Sequence, residues 1–113
     1  MAPRCRHLLA RREVLRGCRI GRIAYDREVV SAQTLRAPVS DTSDWLLRRI
    51  GEVVAEAQRA GELPATLDVR ATAATITAVV QGGYVMARAT GSSKAFTDAI
   101  DGLVPLLEES APQ

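Results

Sequence analysis

Residues 68–89 read DVRATAATITAVVQGGYVMARA, and this stretch decides the fold. Ala71 to Ala87 form a run of seventeen residues without a charge. Asp68 stands where a helix N-cap would accept backbone N–H groups. Gly91 stands where a helix ends in the left-handed region. The run between them reads as one long helix, apolar or small almost all the way round, and such a helix is covered on several sides. Gly82 and Gly83 lie inside it, and each costs roughly 1 kcal/mol there relative to alanine. Close neighbours are expected to explain them.

The run is long enough to raise a membrane span. It is built from Ala, Thr, Gln and Gly rather than Leu, Ile and Phe, so its insertion would be weak. A buried helix of a soluble bundle is the better reading, with no membrane partner. Two rows run along it. Ala74, Ala78 and Gly82, continued by Val85 and Ala89, form a small row that lets another helix approach closely. Thr77, Gln81, Tyr84 and Arg88 form a polar or amphipathic row whose groups need partners if buried. Those partners are a bound molecule on one reading, and backbone, water or each other on the other.

After Gly91, Ser92 or Ser93 can cap a last helix in which Phe96, Ile100, Leu103 and Leu107 repeat at four, three and four. Pro105 falls inside that pattern and predicts a kink or an early end. Before Asp68, Gly61 is placed as a left-handed cap and Pro64 forbids continuation of the preceding helix. That helix has its stripe at Leu46, Ile50, Val53, Ala57 and Ala60, with Trp45 at its start. Its N-cap is expected within Ser40-Asp41-Thr42-Ser43, and Arg48 with Glu52 is expected to form a surface pair. Val29 to Ala37 reads as a short helical piece ended by Pro38, and Glu13 to Asp26 as another, interrupted at Gly17 and Gly21. No stretch alternates as a strand does. The expected fold is an all-α bundle of four to five helices.

At 113 residues the chain fits one domain, and 47% hydrophobic residues supply a core. Residues 1–12 form a basic N-terminal segment, 13–108 the domain, and 109–113 a frayed tail. The net charge of +2 hides an asymmetry. Residues 1–27 hold eight arginines against Glu13 and Asp26, or +6, which leaves −4 for the rest. A solvated arginine-rich face accounts for this, with nucleic-acid binding as the alternative. Cys5, His7 and Cys18 lack a fourth ligand and a metal-site spacing. They read as ordinary side chains of a reducing cytoplasm, with no metal or cofactor. No G-x-S-x-G or P-loop is present, and Asp98 with Asp101 sits on a polar helix face, so no enzyme is expected.

The last two helices have broader apolar faces than one small domain covers. They are expected to form half of a four-helix interface completed by a second copy, through Ala74, Ala78 and Gly82 on one helix and Phe96, Ile100 and Leu103 on the other.

Four segments then carry a resemblance in their order and spacing. They are RGCRIGRIA at 16–24, Trp45-Leu46, EAQRAGEL at 56–63, and QGGYVMARA at 81–89. The chain resembles the C-terminal regulatory domain of TetR-family transcriptional repressors. The resemblance implies a homodimer and a pocket for a small hydrophobic or aromatic effector, with Trp45, Gln81, Tyr84 and Met86 as contacts, joined by Cys18 and Ile20. It also implies that DNA is met only through an N-terminal helix-turn-helix domain, for which there is no room before Glu13. Specific operator binding by these 113 residues alone is therefore not expected. A dimerisation module without ligand, pairing with a full-length relative, is the alternative function. The two differ in whether the bundle encloses a pocket of a few hundred Å³.

Overall fold

The computed structural model describes residues 18–109, apart from the side chains of Arg19 and Ile20. Cys5, His7, the basic segment, the first part of the Glu13–Asp26 piece and the last four residues lie outside the described residues. Five helices follow one another: α1 (Arg19–Ala24), α2 (Arg27–Ser31), α3 (Gln33–Arg59), α4 (Val69–Thr90) and α5 (Lys94–Glu109). Among the described residues there is no strand.

The long helix forms where the sequence places it. The Asp68 carboxylate accepts from the Ala71 N–H at 2.7 Å, and Gly91 closes the helix with φ +66°. At the end of α3, Gly61 has φ +75°. Its N–H donates to the Gln58 carbonyl and the Glu62 N–H to the Ala57 carbonyl, so two of the carbonyls left free in the last turn are used. The Gln58 amide also donates to the Pro64 and Leu67 carbonyls, at 3.0 and 2.9 Å. This one side chain ties the α3–α4 loop back onto α3. The EAQRAGEL segment is thus a helix stop with its own clamp.

Four sequence expectations are corrected. Pro38 does not end a helix, because α3 runs through it from Gln33. The hydroxyls of the Ser40–Ser43 cluster do not cap. Thr42 donates to the Pro38 carbonyl at 2.8 Å and Ser43 to the Val39 carbonyl at 2.9 Å, four residues back in each case. Such back-bonding satisfies the hydroxyl without stopping the helix. The break falls instead at Ala32, which is extended with ψ 115°; nothing in the sequence there signals it. Pro105 does not end α5, which continues to Glu109. Glu52 pairs with Arg49 at 2.6 Å rather than with Arg48, an exposed contact that contributes little.

α4 is the central element. α3 packs on its N-terminal half, where Val54, Thr72 and Ala73 are buried. α5 packs on its C-terminal half, where Phe96, Ile100 and Leu103 are buried beside Ala87. Gly83 makes the second packing possible. A Cβ there would stand 3.0 Å from the Phe96 ring and 3.5 Å from its Cα. Phe96 is itself stacked on Tyr84, with ring centroids 4.7 Å apart at 46°, a separation at which aromatic pairs attract.

Gly83→Val is expected to cost about 1–3 kcal/mol by overpacking, although it relieves the glycine's helix penalty. Asp68→Ala is expected to cost about 1 kcal/mol through the lost cap. Urea unfolding followed by circular dichroism measures both. A Gly83→Val chain as stable as the parent would mean that Phe96 is not held where described.

Candidate functional site

α1 lies across the C-terminal half of α4, and a cavity of about 430 Å³ opens between them. From α4 it is lined by Gln81, Tyr84, Val85, Arg88 and Ala89, and from the α1 segment by Cys18, Gly21, Arg22 and Tyr25. Gln81, Tyr84 and Arg88 share one side of α4 because steps of three and four residues return to nearly the same face of a helix. Gly21 faces the Gln81 side chain across this gap. A Cβ at Gly21 would collide with the Gln81 side-chain amide.

Three of the six residues singled out from the sequence meet here: Cys18, Gln81 and Tyr84. Ile20 belongs to α1, but its side chain lies outside the described residues. Trp45 and Met86 are not brought to the cavity. Trp45 is 57% exposed on α3 and Met86 is 53% exposed on α4. Met86 is two residues from Tyr84, about 160° round the helix, so the two cannot line one wall. The periodicity held that information. Arg88 belongs to the same polar row and completes the α4 side. Arg22, Tyr25 and Gly21 carried no local signal, since their role depends on how α1 sits against α4.

Tyr84 has two roles. Its ring packs with Val79 and Val80 against the buried Ala87, Phe96 and Ile100, and it also lines the cavity. Burial first, and the nearby Cys18 second, push its phenol above the ordinary value of 10.0. At neutral pH Tyr84 therefore keeps its proton and is a hydrogen-bond donor. Thr77, from the same row, is used within the helix, donating to the Ala73 carbonyl at 2.8 Å.

Two other depressions differ in character. A cleft of about 860 Å³ between α3 and α4 has an apolar floor of Leu47, Ala55 and Ala73. Its charges, Asp44 and Glu52 against Arg48 and Arg70, balance. A third, of about 450 Å³, lies beside Arg22, Ile23, Asp26 and Val29. Among the described residues no cluster of His, Cys, Asp and Glu could hold a metal ion. No helix there is long and apolar enough to cross a membrane.

The residues expected at a dimer interface separate into two groups. Phe96, Ile100 and Leu103 are covered by α4 of the same chain, at 6–8% exposure. Ala74, Ala78 and Gly82 are exposed on the opposite side of α4. Among the described residues a Cβ at Gly82 would meet nothing within 4 Å, so their packing gives no reason for a glycine there.

One family model, described as Tetracyclin repressor-like, C-terminal domain, matches residues 2–103. The chain belongs to this family. It is therefore an all-α domain of the TetR regulator type, of the general class that binds ligands and dimerises in transcription regulators. No curated protein and no solved structure matches the chain at a significant level.

In a Tyr25→Phe chain, Tyr84 is the one remaining tyrosine. Its tyrosinate absorbance is expected to rise with a midpoint above 10.0. The native state holds this proton to higher pH than the unfolded chain does. The associated stability is intact below the ordinary value and declines as pH rises past it. A midpoint at or below 10.0 would contradict the buried placement of Tyr84.

Proposed function

We propose that the chain is the effector-binding and dimerising part of a TetR-family regulator, with its effector site between α1 and α4. The observation that carries this reading is the division of α4 into faces. One side, through Gln81, Tyr84 and Arg88, walls a cavity. Another, through Ala74, Ala78 and Gly82, is exposed and bears small side chains only.

A cavity of about 430 Å³ falls within the range of small-molecule sites. It is open to solvent, with Tyr25 79% and Val85 49% exposed, and is not the enclosed pocket that separates ligand binding from a dimerisation module without ligand. The mixed apolar and polar lining is what favours ligand binding here. Apolar contacts come from Val85, Ala89 and the Tyr25 and Tyr84 rings. Orientation comes from the Gln81 amide and the Tyr84 hydroxyl. These groups suit a small effector with an aromatic or aliphatic body.

The exposed row is assigned to a second copy of the chain. Gly82 carries the usual penalty of a helix-interior glycine with no neighbour among the described residues that requires it. A partner helix crossing at that point would use the space. Met86, 53% exposed and not among the residues lining the cavity, extends the apolar surface beside it. Gly102 on α5 is likewise open, with Leu106 68% exposed one turn on. Closed two-fold dimers are the commonest way to cover such faces. In a complete regulator, effector binding at Tyr84 would shift the packing of Phe96 and α5, and with it the geometry of the pair. That is ordinary two-state coupling between sites. DNA would be met through a helix-turn-helix domain carried on the same polypeptide or by a paired relative.

Light scattering on a size-exclusion column tests the dimer. The chain is expected to run as two copies at micromolar concentration. Gly82→Glu and Ala78→Glu are expected to run as one copy, with helical circular dichroism retained, because neither side chain is buried in its own chain. A monomeric parent, or dimeric glutamate variants, would contradict the interface.

A further inference from the structure

Among the described residues, the charges lining the α1–α4 cavity are of one sign. Arg22 enters from α1 and Arg88 from the last turn of α4, and no carboxylate of the described residues lines it. Neither arginine is ion-paired among the described residues, where the pairs are Arg49 with Glu52 and Lys94 with Asp98. Asp26, the nearest acid in sequence to Arg22, borders the neighbouring depression, which Arg22 also lines, and not the cavity. Its carboxylate is engaged as the cap of α2, accepting from the Glu28 and Val29 N–H groups at 2.9 and 3.3 Å. The α3–α4 cleft offers the contrast, because its two bases face two acids.

The remaining polar groups are suited to donating. Tyr84 holds its proton at neutral pH, and the Gln81 side chain carries two N–H donors. The apolar surface comes from Val85, Ala89 and the tyrosine rings. A volume near 430 Å³ leaves room for roughly a dozen non-hydrogen atoms.

We propose that this cavity takes a small organic anion, a carboxylate on a short aromatic or aliphatic body, with Arg22 and Arg88 meeting the charge and the α4 wall the body. The proposal rests on the effector-site reading above and narrows its ligand class. Guanidinium matches carboxylate in a planar, two-point contact. Donation from Gln81 or Tyr84 adds hydrogen bonds that a charged acceptor makes stronger. Both arginines are exposed, so water weakens the attraction and the discrimination is moderate.

The test uses two probes of equal shape, 3-phenylpropanoate and 3-phenylpropanamide, titrated into the isotope-labelled chain and followed by NMR. Both are expected to shift the Gln81, Tyr84 and Val85 signals. The acid is expected to bind about tenfold more tightly than the amide. That preference should fall in Arg88→Gln and in Arg22→Gln, the acid losing more affinity than the amide and the helical circular dichroism being retained, and it should shrink as salt is raised. Equal affinity for acid and amide, or a preference kept in both variants, overturns the anion proposal while the cavity stands as a site for neutral effectors. If neither probe shifts those signals, the site itself is wrong and the proposal falls with it.

Discussion

The approach of Phe96 to Gly83 is the contact on which the C-terminal half of the domain depends. A Cβ at Gly83 would stand 3.0 Å from the Phe96 ring, tighter than ordinary contact, so any side chain there would push the ring outward. With Phe96 seated there, Ile100 and Leu103 follow along α5 into the same seam, and all three are buried. The seam is thin, and among the described residues no large side chain is wholly buried. A core of this size has little redundancy, so a close aromatic contact at its centre matters more than its area suggests. Tyr84, one residue on from Gly83, stacks on the same ring. The position that fixes α5 therefore adjoins the position that faces the cavity.

This adjacency gives the two halves of the proposed function a common element. The Tyr84 ring belongs to the core, and its rim to the cavity with Gln81 and Arg88. A molecule pressing on Tyr84 acts on Phe96 without an intervening loop, and Phe96 belongs to the helix that would share a dimer interface. Well-packed seams respond to such pressure by changing between discrete arrangements rather than by yielding smoothly. The neighbouring glycines answer to different requirements. Gly83 serves the chain's own fold, whereas Gly82 faces outward, with nothing among the described residues within 4 Å of a Cβ there.

Much of the fold was legible because its signals are local. The span of α4 was fixed by Asp68 and Gly91, and the end of α3 by Gly61 and Pro64. The stripe of α5 gave the buried Phe96, Ile100 and Leu103. The errors arose where local chemistry has two outcomes. Pro38 and Pro105 are breakers by propensity, yet each is carried inside a helix. Thr42 and Ser43 can cap or bond back, and they bond back. The site was half legible. Gln81, Tyr84 and Arg88 share a face by periodicity, but Arg22 and Tyr25 join them only through the docking of α1, and no pattern within α1 announces that. Trp45 and Met86 were assigned by resemblance; Met86 is turned away by its own helical phase, and Trp45 lies on α3, which does not line the cavity.

The central claim is that the Ala74–Ala78–Gly82 row of α4 meets its counterpart in a second copy. Disulfide trapping tests it most directly. Cysteine placed singly at each of the three positions, in a chain with Cys5 and Cys18 replaced by serine, is oxidised mildly and separated by non-reducing electrophoresis. The account predicts that at least one of the three links two copies far faster than Arg59→Cys, an exposed control at the end of α3. Linking no faster than the control at all three positions would contradict it.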